Sequence, residues 1–504
     1  MGSRFIHLKP IHLSLHELPR RSFRSRCPPQ LHRLRGAAAY DLKIPGSVIQ
    51  RNSQCLQRTL AFDYGSFDIP SLDGWGDNES TSSYMISSSD GEDSDGEIIV
   101  NPPAEADLPP VKVSANDALT LSTHRFAMIG RRHKRHRIKY GAFINIGLIS
   151  FLTIFLLLVD CCAWRIVRLP LEPFYLTRPF FMSAVIASFV GYIFVPLFYS
   201  LHMYQIIRKE GPYRHSIKKK TTPTMGGLLF VPIGVAVAQY IVGLSCIEVA
   251  GAAAVTLAYA VIGLLDDTFS LSKNQNYGLS SWLRIFLEVA VGIIFSLWLD
   301  SAGISSPYGM KGLIPLPAPL GLVCLGKCYL LLTSFCFVSM GNGVNLTDGL
   351  DGLAGGTAAL TFVAMSIAVL PICADLAIFG ASMAGACAGF LLHNRYKASI
   401  FMGDTGSLAL GGALAAMASC TGMFFPLFIS SGIFVIEALS VVIQVSCFKA
   451  TKRLWGTGLR ILRMAPFHHH LELCGMKEPS IVAGAYVVSA FLSLFAAYVG
   501  LTSA

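Results

Sequence analysis

The chain of 504 residues is 53% hydrophobic and only 14% charged, with a formal net charge of +10. A soluble protein of this length carries charge on roughly a quarter of its residues, so the composition excludes one large water-soluble core. From Gly141 onward apolar runs recur at the roughly 18 or more residues that a bilayer demands. The basic excess sits in a leader and in short loops between those runs, which argues for membrane orientation and not for nucleic acid.

In chain order, residues 1–60 carry Arg4, Lys9, Arg20, Arg21 and further basic residues up to Arg58 against only Glu17 and Asp41. This Arg-rich, acid-poor leader without a continuous apolar core reads as an organelle transit peptide. Residues 61–130 reverse sign: Asp90, Glu92, Asp93, Asp95 and Glu97 stand among serines, and a segment with so little to bury is expected to be disordered. A basic run from Arg131 to Lys139 then precedes a first span at 141–164, an arrangement that fixes orientation; together they make up residues 131–178.

Residues 179–504 form the membrane domain. Further spans are predicted at about 179–200, 225–245, 247–265, 282–300, 319–340, 353–370, 373–392, 407–424, 427–448 and 481–502. The fold class is therefore all-α and polytopic, with about eleven transmembrane helices. The 13 cysteines, among them Cys161, Cys162, Cys246 and Cys387, are scattered without a CxxC pair. They read as small buried apolar residues, not as a disulfide or zinc framework.

Five stretches between spans are too polar and glycine-rich to be idle connectors. They are Lys218 to Gly227 (KKKTTPTMGG), Gly263 to Asp267 (GLLDD), Asn345 to Ala354 (NLTDGLDGLA), Asn394 to Leu408 (ending FMGDTGSL) and Met464 to Glu472 (MAPFHHHLE). Each is separated from the next by two spans, and an even number of crossings returns the chain to the same side. All five therefore face one compartment. Lys218 to Lys220, Lys273, Arg395, Lys449 and Arg463 fall on that side too, as expected for a face that is not translocated.

Acids at membrane depth are costly and mark function. Asp266, Asp267, Asp348, Asp351 and Asp404 converge on one interface in this reading, and such a group cannot stay ionised without a counter-charge. Oxygen-only ligands beside a phosphate favour Mg²⁺ over zinc. Asp348 and Asp351, at i and i+3, share a face on a helical turn. His468, His469 and His470 are adjacent, and consecutive side chains point in different directions; with Lys452 and Arg463 nearby they suit an anionic phosphate better than a metal.

The set TPTMGG, GLLDD, NLTDGLDGLA, FMGDTGSLALGG and MAPFHHHLE resembles the phospho-N-acetylmuramoyl-pentapeptide transferases, within the polyprenyl-phosphate N-acetylhexosamine-1-phosphate transferase superfamily. The resemblance covers about residues 179–502 and implies the family's ten-helix fold; the span at 141–164 lies outside it. It implies transfer of phospho-MurNAc-pentapeptide from a UDP carrier to undecaprenyl phosphate, with Mg²⁺ as cofactor and UMP as product. Asp404 matches the metal-binding aspartate, and Asp266 and Asp267 match the catalytic pair whose first member is proposed to deprotonate the lipid phosphate. Asn345, Asp348 and Asp351 match the polar loop at the nucleotide and active centre, and Asn394 the uridine-side asparagine. His468, His469 and His470 match the triplet credited with phosphate binding, while Lys218, Thr222 and Thr224 fall in the loop that helps close the site. The partners implied are the UDP-linked muramoyl-peptide, a polyprenyl phosphate and the membrane, with room for a homodimer.

The sequence departs from the family pattern at Thr221, Ser270 and Lys397, where the family usually carries glycine, lysine and proline, which bears on nucleotide affinity. Transit peptide and family together resemble a plastid version, with the motif face toward the stroma and a mitochondrial address as the lesser alternative. Two rival readings follow from the same residues. One is a sugar-phosphate transferase using UDP-GlcNAc and a polyprenyl or dolichyl phosphate. The other is an ion-coupled transporter, whose acids would alternate between faces or sit near the midplane.

Overall fold

The computed structural model describes residues 97–100, 111–114, 140–167, 171–204, 222–243, 245–272, 278–302, 312–317 and 319–503. The transit-peptide reading, Lys218, Thr221 and Lys273 lie outside them. Within the acidic segment expected to be disordered, β1 (Glu97–Val100) pairs antiparallel with β2 (Val111–Ser114). The β-branched residues Ile98, Ile99, Val100, Val111 and Val113 account for that short ladder against the local composition.

The remainder is helical, as the apolar periodicity demands. All eleven predicted spans fall on helices, and with two short ones the described residues form thirteen. They are α1 (Tyr140–Arg165), α2 (Thr177–Ser200), α3 (Gly227–Val242), α4 (Ile247–Ser272), α5 (Ser281–Ser301) and α6 (Cys328–Thr347). After these come α7 (Leu353–Val369), α8 (Ala374–Asn394), α9 (Gly403–Thr421), the short α10 (Phe424–Ser430), α11 (Gly432–Trp455), the short α12 (Phe467–Leu473) and α13 (Glu478–Ser503). Eight are long and apolar enough to cross a membrane: α1, α2, α4, α5, α6, α8, α11 and α13.

Position in the bundle follows side-chain size. Every residue of α7 is buried, and in α9 every residue but Asp404. Both are built largely from Gly, Ala, Ser and Thr, which lets neighbouring backbones approach closely where lipid supplies no hydrophobic drive between helices. The outer helices carry large apolar residues such as Phe189, Tyr192, Trp282, Phe286 and Phe491 at high exposure, a lipid-facing rim. Asp160, buried near the end of α1, accepts from the amides of Leu176 and Thr177 at 3.1 and 2.9 Å and so caps α2.

Three boundaries differ from expectation. The span expected at 319 begins only at Cys328, because Leu313–Pro315 (β3) pairs with Leu322–Cys324 (β4) in a hairpin before it. At its other end α6 runs on to Thr347, so Asn342 and Asn345 lie on the helix and not in a loop. The span expected at 427–448 is divided into α10 and α11 at Ser431. The cysteines also divide: Cys336, Cys387 and Cys420 are buried as expected, whereas Cys161, Cys324, Cys328 and Cys474 are exposed.

Candidate active site

The N-terminus of α9 is the hub of the site. Its entry is stitched to the first motif by three backbone hydrogen bonds: Phe401 N–H to Pro223 O, Gly226 N–H to Phe401 O and Gly227 N–H to Met402 O, at 2.8 to 2.9 Å. Gly403 has φ +74°, a left-handed conformation that glycine adopts without a Cβ penalty. It turns the chain so that Asp404 and Thr405 present their amides to the second motif. Asp267 receives them, with Oδ1 3.2 Å from Asp404 N and Oδ2 3.0 Å from Thr405 N and 2.7 Å from Thr405 Oγ1. A carboxylate on one helix thus caps the start of another, meeting orphan amides and the positive end of the dipole together.

The glycines of these motifs exist for close approach. A methyl group built on Gly263 would stand 2.2 Å from the carbonyl oxygen of Asp404, and one on Gly227 would stand 2.3 Å from the amide nitrogen of Gly406. Helices α3, α4 and α9 therefore touch backbone to backbone at the site.

Asp404 itself faces a cation. Arg284 Nη1 lies 3.0 Å from Asp404 Oδ2, while Arg284 Nε lies 3.8 Å from Glu288 Oε1 one turn along α5. Glu288 is fully buried and also accepts from Asn342 Nδ2 on α6. The chain Asn342–Glu288–Arg284–Asp404 is absent from the sequence reading. Its signal was available: an Arg and a Glu at i and i+4 inside an apolar span. Asp266 accepts from the amide of Leu279 at 2.8 Å and lies close enough to Asp404 for their carboxyl groups to interact.

The third motif joins through α9 and the 394–400 turn. Asn345 Nδ2 donates to Ser407 Oγ at 3.0 Å. Asp348 closes the end of α6, its amide donating to Asn345 O. Asp351 is buried and accepts from Ala398 N at 3.0 Å. Asn394 is 2% exposed and spans two backbones, accepting from Gly352 N at 3.0 Å and donating to Ile400 O at 2.9 Å. It positions the turn that carries Asp351, while Tyr486 Oη on α13 donates to Gly352 O from the other side.

The fifth motif forms α12, and its three histidines take three different partners. His468 is 1% exposed; its Nδ1 pairs with Glu437 Oε2 at 3.1 Å and its Nε2 points at Gly349 in the third motif. His469 pairs with Glu472 at 2.7 Å, and His470 Nδ1 accepts from the amide of Arg463 at 3.2 Å. Thr224 is buried beside Gly403, and Thr222 is half-buried at the start of the described strap. Helix α1 closes one edge: a cleft between it, α13 and residues 395–396 is lined by Gly141, Asn145, Asp351, Arg395 and Tyr486.

The structure thus joins the fourth motif to the second and the third, and the third to the fifth, and ties Pro223 to Gly227 of the first to the fourth. Three carboxylates, of Asp266, Asp267 and Asp404, gather where, among the described residues, Arg284 supplies positive charge. Asp267 is engaged by the amides of α9, Asp266 by the amide of Leu279 and Asp404 by Arg284. An oxygen-only set of carboxylates suits a hard divalent cation.

Comparison with known proteins bears on what this centre does. Residues 249–422 match the family model described as Glycosyl transferase family 4. The chain is 44% identical over 333 residues to the phospho-N-acetylmuramoyl-pentapeptide-transferase of Nostoc sp. (strain PCC 7120), covering 66% of this chain and 88% of that protein. It is 42% identical over 350 residues to the protein of that name from Gloeothece citriformis, covering 69% and 94%, and 45% identical over 316 residues to that from Picosynechococcus sp., covering 63% and 84%.

Proposed function

The chain belongs to the phospho-N-acetylmuramoyl-pentapeptide transferase family, and from that premise we propose that it transfers phospho-MurNAc-pentapeptide from UDP to a polyprenyl phosphate at the N-terminus of α9. The observation that carries this reading is the direct contact between Asp267 and the Asp404–Thr405 amides, with Arg284 on Asp404. It assembles acids and a cation from three helices into one centre, as attack of one phosphate on another requires.

An oxygen of the lipid phosphate attacks the sugar-bearing phosphorus of the nucleotide; the new P–O bond forms as the bond to UMP breaks, and UMP leaves with the electron pair. Asp266, held by the Leu279 amide, takes any proton remaining on the attacking phosphate. Asp267 acts by presenting Asp404. Arg284 and Glu288 hold the Asp404 carboxylate in one orientation. Asp404 would hold Mg²⁺, which when bound would neutralise charge on the pyrophosphate. Asn345, Asp348 and Asp351 would bound the nucleotide side, and His469 and His470, half-buried on α12, would meet a phosphate; His468 would hold the third motif.

The Arg-rich leader and the cyanobacterial relatives support a plastid membrane as the location, with the motif face toward the stroma. A fusion of residues 1–60 to a fluorescent protein is expected to enter plastids; mitochondrial import would overturn that address. For the substrate, purified protein is offered UDP-MurNAc-pentapeptide and UDP-GlcNAc with radiolabelled polyprenyl phosphate. Product from the first is expected, and exclusive use of the second would overturn the reading. The transporter alternative is disfavoured by the clustering of Asp266, Asp267 and Asp404 at one centre.

A further inference from the structure

At the ends of α4 and α8 remote from this centre, three ligand-type side chains meet. Cys246 immediately precedes α4, Glu248 lies in its first turn, and Cys373 is the residue before α8. Their sulfur and carboxylate atoms all lie within 4.8 Å of one another, and all three residues are half-buried. Cys246 Sγ donates to Glu248 Oε2 at 3.2 Å.

The cluster stands clear of the reaction centre. From Glu248 to Asp266 the helix α4 is about 27 Å long at roughly 1.5 Å per residue, close to the roughly 30 Å hydrocarbon thickness of a bilayer. Helix α8 has the same polarity, starting at Cys373 and ending at Asn394 beside the third motif. None of the three residues falls in the five motifs.

We propose that Cys246, Glu248 and Cys373 form a binding site for a thiophilic divalent cation of the zinc class on the membrane face opposite the active centre. The donor set decides the class. Two thiols and a carboxylate suit zinc and its soft neighbours and disfavour Mg²⁺ and Ca²⁺. A tetrahedral site with Zn–S of about 2.3 Å and Zn–O of about 2.1 Å needs donor atoms about 3.6 to 3.8 Å apart, so the cluster closes on an ion with movements of about 1 Å. Burial pushes both thiols upward and the backbone amides at the helix N-termini offset that only in part; the two thiol protons leave on binding. A water molecule would complete the set of four donors. The ion would pin the starts of α4 and α8 together, helices whose other ends carry Asp266, Asp267 and Asn394.

A Cys246–Cys373 disulfide is the competing state of the same sulfurs, and the engagement of Glu248 by Cys246 favours the metal. The full-length chain, purified in detergent with reductant and then freed of metal by chelation, is titrated with Co²⁺ in excess Mg²⁺. One equivalent should develop a thiolate-to-cobalt charge-transfer band in the near ultraviolet, and one equivalent of Zn²⁺ should abolish it. Cys373→Ser and Cys246→Ser should each lose the band, Glu248→Gln should weaken Co²⁺ binding, and Asp404→Asn should keep it. Absence of the band in the wild-type chain, or a band unchanged in Cys373→Ser, would overturn the proposal. So would recovery of the wild-type chain, purified without reductant, entirely as the Cys246–Cys373 crosslinked form.

Discussion

Arg284 Nη1 meets Asp404 Oδ2 at 3.0 Å across 120 residues of sequence, and the same guanidinium reaches back to Glu288 through Nε. One planar cation thereby links a buried acid in the bundle to the acid at the reaction centre. Lysine, a point charge, cannot serve both. Arg284→Lys is expected to lower kcat for UMP release by roughly 100-fold, about 2.7 kcal/mol in barrier, with the thermal unfolding midpoint little changed. Full activity in Arg284→Lys would show that the fork geometry is irrelevant.

Glu288 is fully buried and serves Arg284 and Asn342 together. Removing it leaves a cation with one partner fewer in a dry setting, and Glu288→Leu should destabilise the fold by about 3–5 kcal/mol. A double-mutant cycle with Arg284→Leu should be strongly non-additive, because the two residues form one unit. Additive losses in detergent thermal melts would contradict the coupling.

Gly263 tests close approach in isolation. The methyl of Gly263→Ala meets the Asp404 carbonyl at 2.2 Å, so backbone must move, at roughly 1–3 kcal/mol. Turnover should fall sharply because the displaced residue is Asp404. Gly147→Ala, on α1 with nothing within 4 Å, should leave turnover unchanged. Equal activity in the two variants, measured at equal expression, would refute the account of this crossing.

The two acids of the GLLDD motif should separate by readout. Asp267→Asn weakens the cap on α9 and should cost about 0.5–2 kcal/mol of stability as well as activity. Asp266→Asn should cost activity with much less stability. Thermal shift and kcat measured on both variants decide it, and equal destabilisation would mean that Asp267 does not hold α9.

The sequence made the membrane class, the eleven helices and the meeting of the motifs legible, because hydrophobic length and an even count of crossings are enough to place GLLDD, NLTDGLDGLA and FMGD on one side. It did not show how the work is divided among those residues. Asn394 looks like a ligand in a motif, yet both ends of its amide are spent on Gly352 and Ile400. His468 looks equivalent to its neighbours until Glu437, a buried acid inside the α11 span, is seen to hold it. Arg284 and Glu288 are inconspicuous in the sequence because two charges at i and i+4 scarcely lower the hydropathy of an otherwise apolar span. The hairpin before α6 was hidden for the opposite reason: Leu320, Leu322 and Val323 are as apolar as a helix start, and only their pairing with β3 distinguishes them.

In the proposed reaction Asp404, held by Arg284 and Asp267, anchors a Mg²⁺-dependent transfer from UDP-MurNAc-pentapeptide to a lipid phosphate. The most direct measurement is UMP release by the purified chain, with and without polyprenyl phosphate, across a Mg²⁺ titration, in the wild type and in Asp404→Asn. Release is expected to require both lipid phosphate and Mg²⁺, and Asp404→Asn is expected to abolish it at every Mg²⁺ concentration. Wild-type turnover without added Mg²⁺ in the presence of a chelator, or full activity of Asp404→Asn at saturating Mg²⁺, would contradict it.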